Sequence, residues 1–165
     1  MHYSLKADKF ITTLENELHY TQKYIEIEQI KYNNSFEFET DISDETKHCN
    51  IVKFTLQPVL ENCIEHGIKK TKDRKCLIKL RTFIKNNTLY ITISDNGAGI
   101  TPERLDEVKR NLNSIDAVAT GKHIGLANVN QRIKLIWGDE AGVKLIPLEQ
   151  GLTIEISHPL SGNGN

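Results

Sequence analysis

The strongest constraint on the fold is a pair of alternating segments joined by an asparagine-rich turn. Apolar and polar residues alternate over residues 77–83 and again over residues 89–94, as expected for strands with one buried face. Lys85-Asn86-Asn87 lies between them, and asparagine tolerates the left-handed backbone that a tight turn requires. The sequence therefore predicts a β-hairpin.

Three helices are predicted around this hairpin. The first spans residues 12–31, because Thr12-Thr13-Leu14-Glu15 has the pattern of a capping box. The second covers residues 52–66 and ends at Gly67, and the third covers residues 124–137 and ends at Gly138.

Further strands complete the predicted fold. They cover residues 36–40, 143–146 and 152–156, and loops are predicted over residues 41–50 and 111–122. Helices that alternate with antiparallel strand pairs indicate an α+β fold. We expect a two-layer α/β sandwich, in which helices cover one face of a mixed, largely antiparallel sheet.

The first helix has apolar residues on two sides. At about 100° per residue, one stripe holds Ile11, Leu14, Leu18 and Ile25, and the roughly opposite stripe holds Tyr20, Tyr24 and Ile27. One stripe is expected to pack on the core of the domain. The other either packs on a segment outside this chain or a second copy of it, or is buried as well, in a central core helix.

Composition excludes several classes of protein. The 21 basic and 22 acidic residues among 165 give a net charge of −1, so no broad electrostatic footprint for nucleic acid or an anionic membrane is expected. No apolar run is long enough to span a bilayer, and no signal peptide follows Met1. The three cysteines, Cys49, Cys63 and Cys76, show no CxxC pair. They are expected to be reduced, structural thiols in a cytoplasmic protein.

The first candidate for chemistry is Leu56-Gln57-Pro58-Val59-Leu60-Glu61-Asn62-Cys63-Ile64-Glu65-His66-Gly67. Asn62 and His66 are four residues apart, so they share one face of the second helix. An amide oxygen is a suitable ligand for Mg²⁺, and a histidine one turn away could donate to a phosphate. The simpler interpretation of this pair is the solvated face of an amphipathic helix.

Two further candidates combine glycines with polar groups. Ser94-Asp95-Asn96-Gly97-Ala98-Gly99-Ile100 ends a predicted strand, where a carboxylate could accept from an exocyclic amine while the glycines admit a ring. Gly121-Lys122-His123-Ile124-Gly125-Leu126-Ala127-Asn128 leads into a helix N-terminus, which favours phosphate. Taken singly, each also fits an ordinary turn or helix start.

Together, in this order, the three stretches resemble the N, G1 and G2 boxes of the ATPase superfamily shared by gyrase, heat-shock chaperone, histidine kinase and mismatch-repair proteins. Within that superfamily they are most similar to sensor histidine kinases of the LytS/YesM class, whose third box resembles the run from Ile124 to Ile133. The run from Glu17 to Tyr32 is similar to the linker helix of that class. The likeness covers about residues 14–159 and implies a Bergerat-type ATP-binding fold. It implies a linker helix over residues 1–31 and a catalytic domain over residues 32–160; a disordered tail is expected over residues 161–165.

The resemblance also implies roles for individual residues. It implies that Asn62 ligates Mg²⁺ and that His66 positions phosphate. Glu61 lies about 100° round the helix from Asn62, so it is expected to orient a metal-bound water instead of acting as a base. The resemblance implies that Asp95 reads the adenine amine, beside Gly97, Gly99 and Ile100. The lid side and the phosphates would be contacted by Gly121, Lys122, Gly125 and Leu126. Glu65 replaces a frequent lysine, for which Lys69, Lys70 or Lys122 could substitute, and His123 replaces a frequent glycine.

The implied activity is that of an ATP-dependent protein-histidine kinase. Pro58 stands where ATP hydrolases of the superfamily have a water-activating glutamate, so slow hydrolysis at most is expected. The acceptor is expected to be a histidine on a dimerisation hairpin outside this chain, with a response regulator as an indirect partner. The expected setting is the cytoplasmic part of a membrane-anchored bacterial kinase, with no nucleic-acid or direct membrane contact. The alternatives are a nucleotide-binding scaffold without transferase activity and an anti-sigma-type protein-serine kinase.

Overall fold

The computed structural model describes residues 8–68, 75–114 and 124–160, with the side chains of Ile68 and Ile124 left undescribed. The helices in these ranges are α1 (Leu14–Lys31), α2 (Leu56–Ile68), α3 (Pro102–Leu112) and α4 (Ile124–Trp137). The strands are β1 (Ile11–Thr13), β2 (Phe36–Ile42), β3 (Asn50–Val52), β4 (Cys76–Lys85), β5 (Thr88–Asp95), β6 (Gly142–Pro147) and β7 (Leu152–Pro159). Short 3₁₀ turns cover Asp8–Phe10 and Asp44–Thr46.

The main sheet of the described residues has the strand order β2-β4-β5-β7-β6. The pair β2–β4 is parallel and the other pairs are antiparallel, which confirms a mixed, largely antiparallel sheet. The predicted hairpin is β4–β5, and Asn86 and Asn87 form its turn at φ values of 51° and 59°. Strands β1 and β3 form a separate antiparallel pair.

The core lies between one face of this sheet and the helices. Ile78 and Leu80 of β4 are buried together with Leu89, Ile91 and Ile93 of β5, whereas Lys79 and Arg81 on the opposite face are exposed. The alternation follows from the two-residue period of a strand. From the helical layer, Leu56, Leu60, Val129, Ile133 and Trp137 pack into the same cluster. The two-layer α+β prediction is therefore confirmed.

The predicted boundaries of the first two helices were wrong by a few residues. Thr12 lies in β1, and Thr13 is the N-cap of α1, its hydroxyl accepting from the Asn16 N–H at 3.2 Å. Val52 ends strand β3 and pairs with Ile11, so α2 begins only at Leu56. The same strand begins inside the predicted loop over residues 41–50.

Gly67 does not end α2, which continues to Ile68. A Cβ at position 67 would lie 2.8 Å from the Cys76 Sγ. Glycine at this position therefore allows α2 to approach β4 closely, instead of reversing the chain as a helix cap does.

Helix α3 was missed, since its sequence is mostly polar. Thr101 caps it by accepting from the Arg104 N–H at 3.3 Å, and Val108 and Leu112 are its buried residues. Asn111 and Leu112, predicted to be loop, belong to this helix. Residues 115–122 of that predicted loop lie outside the described residues, as does the predicted tail over residues 161–165.

Helix α1 faces the core on one side only. Leu14 and Ile25 are fully buried and Leu18 is partly buried, which confirms the first stripe. In the second stripe, Tyr24 is partly buried, but Tyr20 is 71% and Ile27 63% exposed. Leu14 and Ile25 of α1 belong to the same core cluster as the sheet. The boundary between a linker helix and a catalytic domain at residue 31 stays a prediction. Within the described ranges, every helix is too short or too polar to cross a membrane.

Candidate functional site

A cavity of about 290 Å³ lies where the end of β5 meets α2, α3 and α4. Its walls come from segments that are far apart in the sequence, which the layered fold brings together. The lining residues are Asn62, Cys63, His66, Asp95, Ala98, Gly99, Ile100, Thr101, Arg104, Val108, Leu126, Leu145 and Leu152.

One wall of the cavity is the polar face of α2. Asn62 is half-buried and His66 is exposed, and helical spacing stacks them one turn apart on the cavity side. Glu61 is exposed and does not line the cavity, because the next residue along a helix is rotated by about 100°. Cys63 lines the cavity from the buried side of α2, and burial raises the pKa of its thiol well above the ordinary range.

Asp95 forms the floor at the end of β5. Its side chain is only 9% exposed, and its Oδ1 accepts from the Gly97 N–H at 2.8 Å. Burial raises the pKa of this carboxyl, while the N–H groups of Gly97 and Leu152 and the charge on His66 oppose the rise. Asp95 is therefore a largely buried acceptor held by a backbone hydrogen bond, which suits the recognition of an amine.

Two glycines hold Asp95 in place by close contact. A Cβ on Gly97 would lie 2.9 Å from the Asp95 Oδ1. Gly151, in the turn between β6 and β7, has φ of +100°, and a Cβ there would overlap the Asp95 carbonyl oxygen. Sequence reasoning missed Gly151, since only the folded chain brings this turn against the end of β5.

The rest of the lining is largely apolar. One loop, two helices and two strands supply its branched side chains, which are Ile100, Val108, Leu126, Leu145 and Leu152. Such a surface suits a flat ring. Gly99 lines the cavity beside them at φ of +77°. Gly125 lies just outside the lining, where a Cβ would be 3.4 Å from the Pro58 Cβ. Gly121, Lys122, His123, Lys69 and Lys70 lie outside the described residues.

Helix α3 adds two polar residues that sequence reasoning missed. Arg104 and Thr101 line the cavity, and Arg104 Nη1 also donates to the Glu107 carboxylate at 2.9 Å. Thr101-Pro102-Glu103, with apolar residues at positions 105, 108 and 112, is a helix-start pattern that could have revealed them.

Asn130 connects the elements behind this wall by hydrogen bonds of its side-chain amide. Its Nδ2 donates to the Leu112 carbonyl and its Oδ1 accepts from the Val143 N–H, both at 2.9 Å. The buried amide thereby joins α4 to the end of α3 and to β6. Sequence reasoning missed this residue too, because an asparagine in a helix gives no sign of such distant partners.

The donors present fit a nucleotide with a magnesium ion. Within the described residues, there is no group of three or more His, Cys, Asp or Glu that could hold a metal. Mg²⁺ commonly takes only one or two protein oxygens beside phosphate and water, and the amide of Asn62 lies on the cavity wall. The buried carboxylate of Asp95 and the apolar part of the lining suit a purine.

Comparison with known proteins agrees with this geometry. Residues 52–162 match the family model described as histidine kinase-, DNA gyrase B-, and HSP90-like ATPase. The sensor protein kinase HptS of Staphylococcus aureus is 31% identical over 163 residues, which are 98% of this chain. The chain spans 30% of the length of that relative.

Solved structures share the fold at low sequence identity. The catalytic domain of histidine kinase ThkA has a TM-score of 0.63 at 14% identity, covering 90% of this chain and 93% of that one. The mycobacterial sensor histidine kinase MprB also has a TM-score of 0.63, at 16% identity, covering 90% and 95%. The Acinetobacter baumannii histidine kinase AdeS has a TM-score of 0.60 at 16% identity, covering 92% and 67%.

Proposed function

Because this chain belongs to the family of histidine kinase-, DNA gyrase B- and HSP90-like ATPases, we propose that its cavity binds ATP with Mg²⁺ for phosphoryl transfer to a histidine. The observation that carries the proposal is that Asn62 and Asp95, from separate elements, line one cavity. Asp95 is the buried carboxylate of this cavity, whereas Asn62 is half-buried and His66 is exposed on the α2 wall.

Asp95 recognises the base. Its carboxylate accepts a hydrogen bond from the exocyclic amine of adenine, while Gly99 leaves room for the ring and Leu126 and Leu152 pack against it. Guanine has a carbonyl oxygen at the equivalent position, which would face the carboxylate. The site therefore selects adenine over guanine.

Asn62 and His66 hold the phosphate end. The amide oxygen of Asn62 serves as the protein ligand of Mg²⁺, and His66 donates to a phosphate oxygen. Arg104 faces the same cavity from α3 and adds positive charge. When bound, Mg²⁺ neutralises charge on the phosphate oxygens, which is the main requirement of phosphoryl transfer. Gly121 and Lys122 are proposed to contact the phosphates, together with Gly125 near the start of α4.

The transfer itself uses a histidine outside this chain. The histidine nitrogen bonds to the γ-phosphorus as the bond to the bridging oxygen breaks, so ADP leaves and the imidazole loses its proton. Pro58 cannot accept a proton from water, and Glu61 is exposed outside the cavity lining. Hydrolysis is therefore slow, and Glu61 would at most orient a metal-bound water.

The acceptor histidine lies on a dimerisation hairpin that docks on the exposed stripe of α1 formed by Tyr20 and Ile27. Both side chains are more than 60% exposed, and exposed apolar side chains on one helix face commonly mark an interaction site. The complete protein would be a membrane-anchored sensor kinase of the LytS/YesM class that passes its phosphoryl group to a response regulator.

Calorimetric titration with a non-hydrolysable ATP analogue tests the binding step. The wild type should bind it in the presence of Mg²⁺ and more weakly without it, and Asp95→Asn should abolish binding. Asp139→Asn is the matched control and should bind the analogue as the wild type does, since Asp139 is exposed beyond the end of α4. Equal binding by the wild type and Asp95→Asn would refute the assignment.

A further inference from the structure

A buried carboxylate on α1 holds the turn from which α2 begins. Glu17 is only 7% exposed, and its Oε1 and Oε2 lie 2.9 and 3.2 Å from the Phe54 backbone nitrogen. Burial raises the pKa of Glu17, against the Phe54 N–H, the charge of Arg132 and the Thr55 N–H. Glu17 therefore connects α1 to residues that immediately precede Leu56.

The turn adopts a backbone conformation that needs such support. Phe54 has φ of +61°, which is uncommon for a residue with a side chain and is a strained conformation for a bulky one. Its ring is 68% exposed, so side-chain burial does not hold the residue in place. The backbone is fixed instead by hydrogen bonds from both sides of the peptide.

Arg132 of α4 donates hydrogen bonds to the same turn. Its Nη1 donates to the Lys53 carbonyl at 2.8 Å and its Nη2 donates to the Phe54 carbonyl at 3.0 Å. This two-pronged geometry is specific to a guanidinium group. The Lys53–Phe54 turn thus joins three helices: α1 through Glu17, α4 through Arg132, and α2 by direct chain connection.

Two of these helices contribute residues to the cavity lining. Helix α2 carries Asn62, and α4 carries Leu126, which precedes Arg132 by six residues, or about 9 Å along a helix. Glu17 and Arg132 themselves do not line the cavity. Any effect of theirs on nucleotide binding must pass through the relative placement of α2 and α4.

We propose that Glu17 and Arg132 are positioning residues that set the nucleotide cavity from α1, by fixing α4 against the start of α2 through the Lys53–Phe54 turn. The inference rests on the proposed function of the cavity. A movement of α1 that withdraws Glu17 removes the acceptor of the Phe54 N–H and the anion facing Arg132. Helix α4 then loses its fixed distance from Asn62, and nucleotide affinity falls without any change in a contact residue.

The test compares Glu17→Gln with Glu15→Gln for binding of a non-hydrolysable ATP analogue with Mg²⁺. Both glutamates lie in the first turn of α1, so both substitutions remove the same helix-dipole interaction. Glu15 is exposed, and Glu15→Gln should leave the dissociation constant unchanged. Glu17→Gln keeps an oxygen for the Phe54 N–H but removes the charge that faces Arg132. It should weaken binding by about fivefold or more, the lower end of typical couplings between sites.

Arg132→Lys provides the second variant, because lysine keeps the charge and loses the two-pronged contact. It should weaken binding similarly, and the double variant should bind about as well as the weaker single variant, since the two residues act through one turn. Binding is measured below the unfolding transition of every variant, and if one substitution unfolds the chain, the other decides the question.

The possible outcomes separate this inference from the proposed function. If the wild type binds and both variants bind equally well while unfolding at lower temperature, the residues are merely structural and the inference is overturned. If the wild type does not bind the analogue, the proposed function fails, and the inference fails with it.

Discussion

At the scale of the residue, the buried charge of Asp95, which the proposed nucleotide binding requires, lowers the stability of the folded chain. Burial raises its pKa in the folded chain, so as pH rises through the window above the ordinary value of about 3.9, the unfolded state ionises first. Stability that is present in acid is therefore lost as pH rises through the folded pKa, and the loss persists at neutral pH. A nucleotide amine offsets this penalty only when bound.

Asp95→Asn should therefore stabilise the nucleotide-free chain while abolishing binding. Asparagine still offers an oxygen to the Gly97 N–H without carrying a buried charge. Each kcal/mol gained would raise the unfolding midpoint by about 2–4 °C. Thermal unfolding with and without nucleotide checks both parts, and a variant whose midpoint still rises with nucleotide would contradict the prediction.

Gly151 offers a separate test of how Asp95 is held. Gly151→Ala should destabilise the chain by about 1–3 kcal/mol for the backbone alone, and by more because the new Cβ overlaps the Asp95 carbonyl. Gly138→Ala has the same φ of 100° but lies at the end of α4. Denaturant unfolding should show losses in both variants, whereas calorimetry should show lost nucleotide affinity only in Gly151→Ala.

The burial of His158 predicts that the stability of the folded chain decreases in acid. Its ring is buried against Trp137, with centroids 4.0 Å apart, and burial lowers its pKa. As pH falls below about 6.5, the unfolded chain binds a proton that the folded chain excludes. Stability therefore decreases until the pH passes the lower folded pKa.

His158→Phe should remove this decrease, whereas His19→Phe, on the exposed side of α1, should retain it. Trp137 is the single tryptophan of the chain, so its fluorescence can follow urea unfolding between about pH 5 and 8. An unchanged slope in His158→Phe would argue that another group controls the acid response.

At the scale of the element, local pattern explains which parts were predictable. The β4–β5 hairpin and α4 have alternating or helical periodicity with Asn86-Asn87 and Gly138 as punctuation, and both were predicted to within a few residues. Strands β1 and β3 have three residues each, too few for any pattern. In the cavity, Asn62 and Asp95 were found through motifs, but Gly151 and Asn130 act through contacts that exist only after folding.

Asn130 should prove necessary for the packing of α3 on α4. Asn130→Ala leaves the Leu112 carbonyl and the Val143 N–H without their partner, at about 1–3 kcal/mol for each buried group. Asn113→Ala is the control, because its amide is exposed and makes one long contact of 3.4 Å to the Lys109 carbonyl. Hydrogen exchange should show loss of protection in α3 for Asn130→Ala alone.

At the scale of the whole molecule, the helices of the described ranges cover one face of the sheet, and the cavity lies where α2, α3 and α4 meet the end of β5. The Tyr20 and Ile27 face of α1 is separate from the cavity lining. Nucleotide and acceptor can therefore be held by different surfaces of one domain. The Glu17–Phe54–Arg132 contacts connect α1 to α4, which carries Leu126 of the cavity lining.

This separation predicts that the chain alone binds ATP but does not phosphorylate itself. In-line transfer needs an acceptor nitrogen about 3–3.5 Å from the γ-phosphorus. Among the described histidines, His158 is buried in the core, His19 and His48 lie on the surface outside the cavity lining, and His66 is assigned to holding phosphate. Incubation with γ-labelled ATP should leave no acid-labile, base-stable phosphoryl group on the protein, while a segment carrying the acceptor hairpin, added in trans, should become labelled. Asp95→Asn should label neither, and stable phosphohistidine on the isolated chain would show that the acceptor lies within these 165 residues.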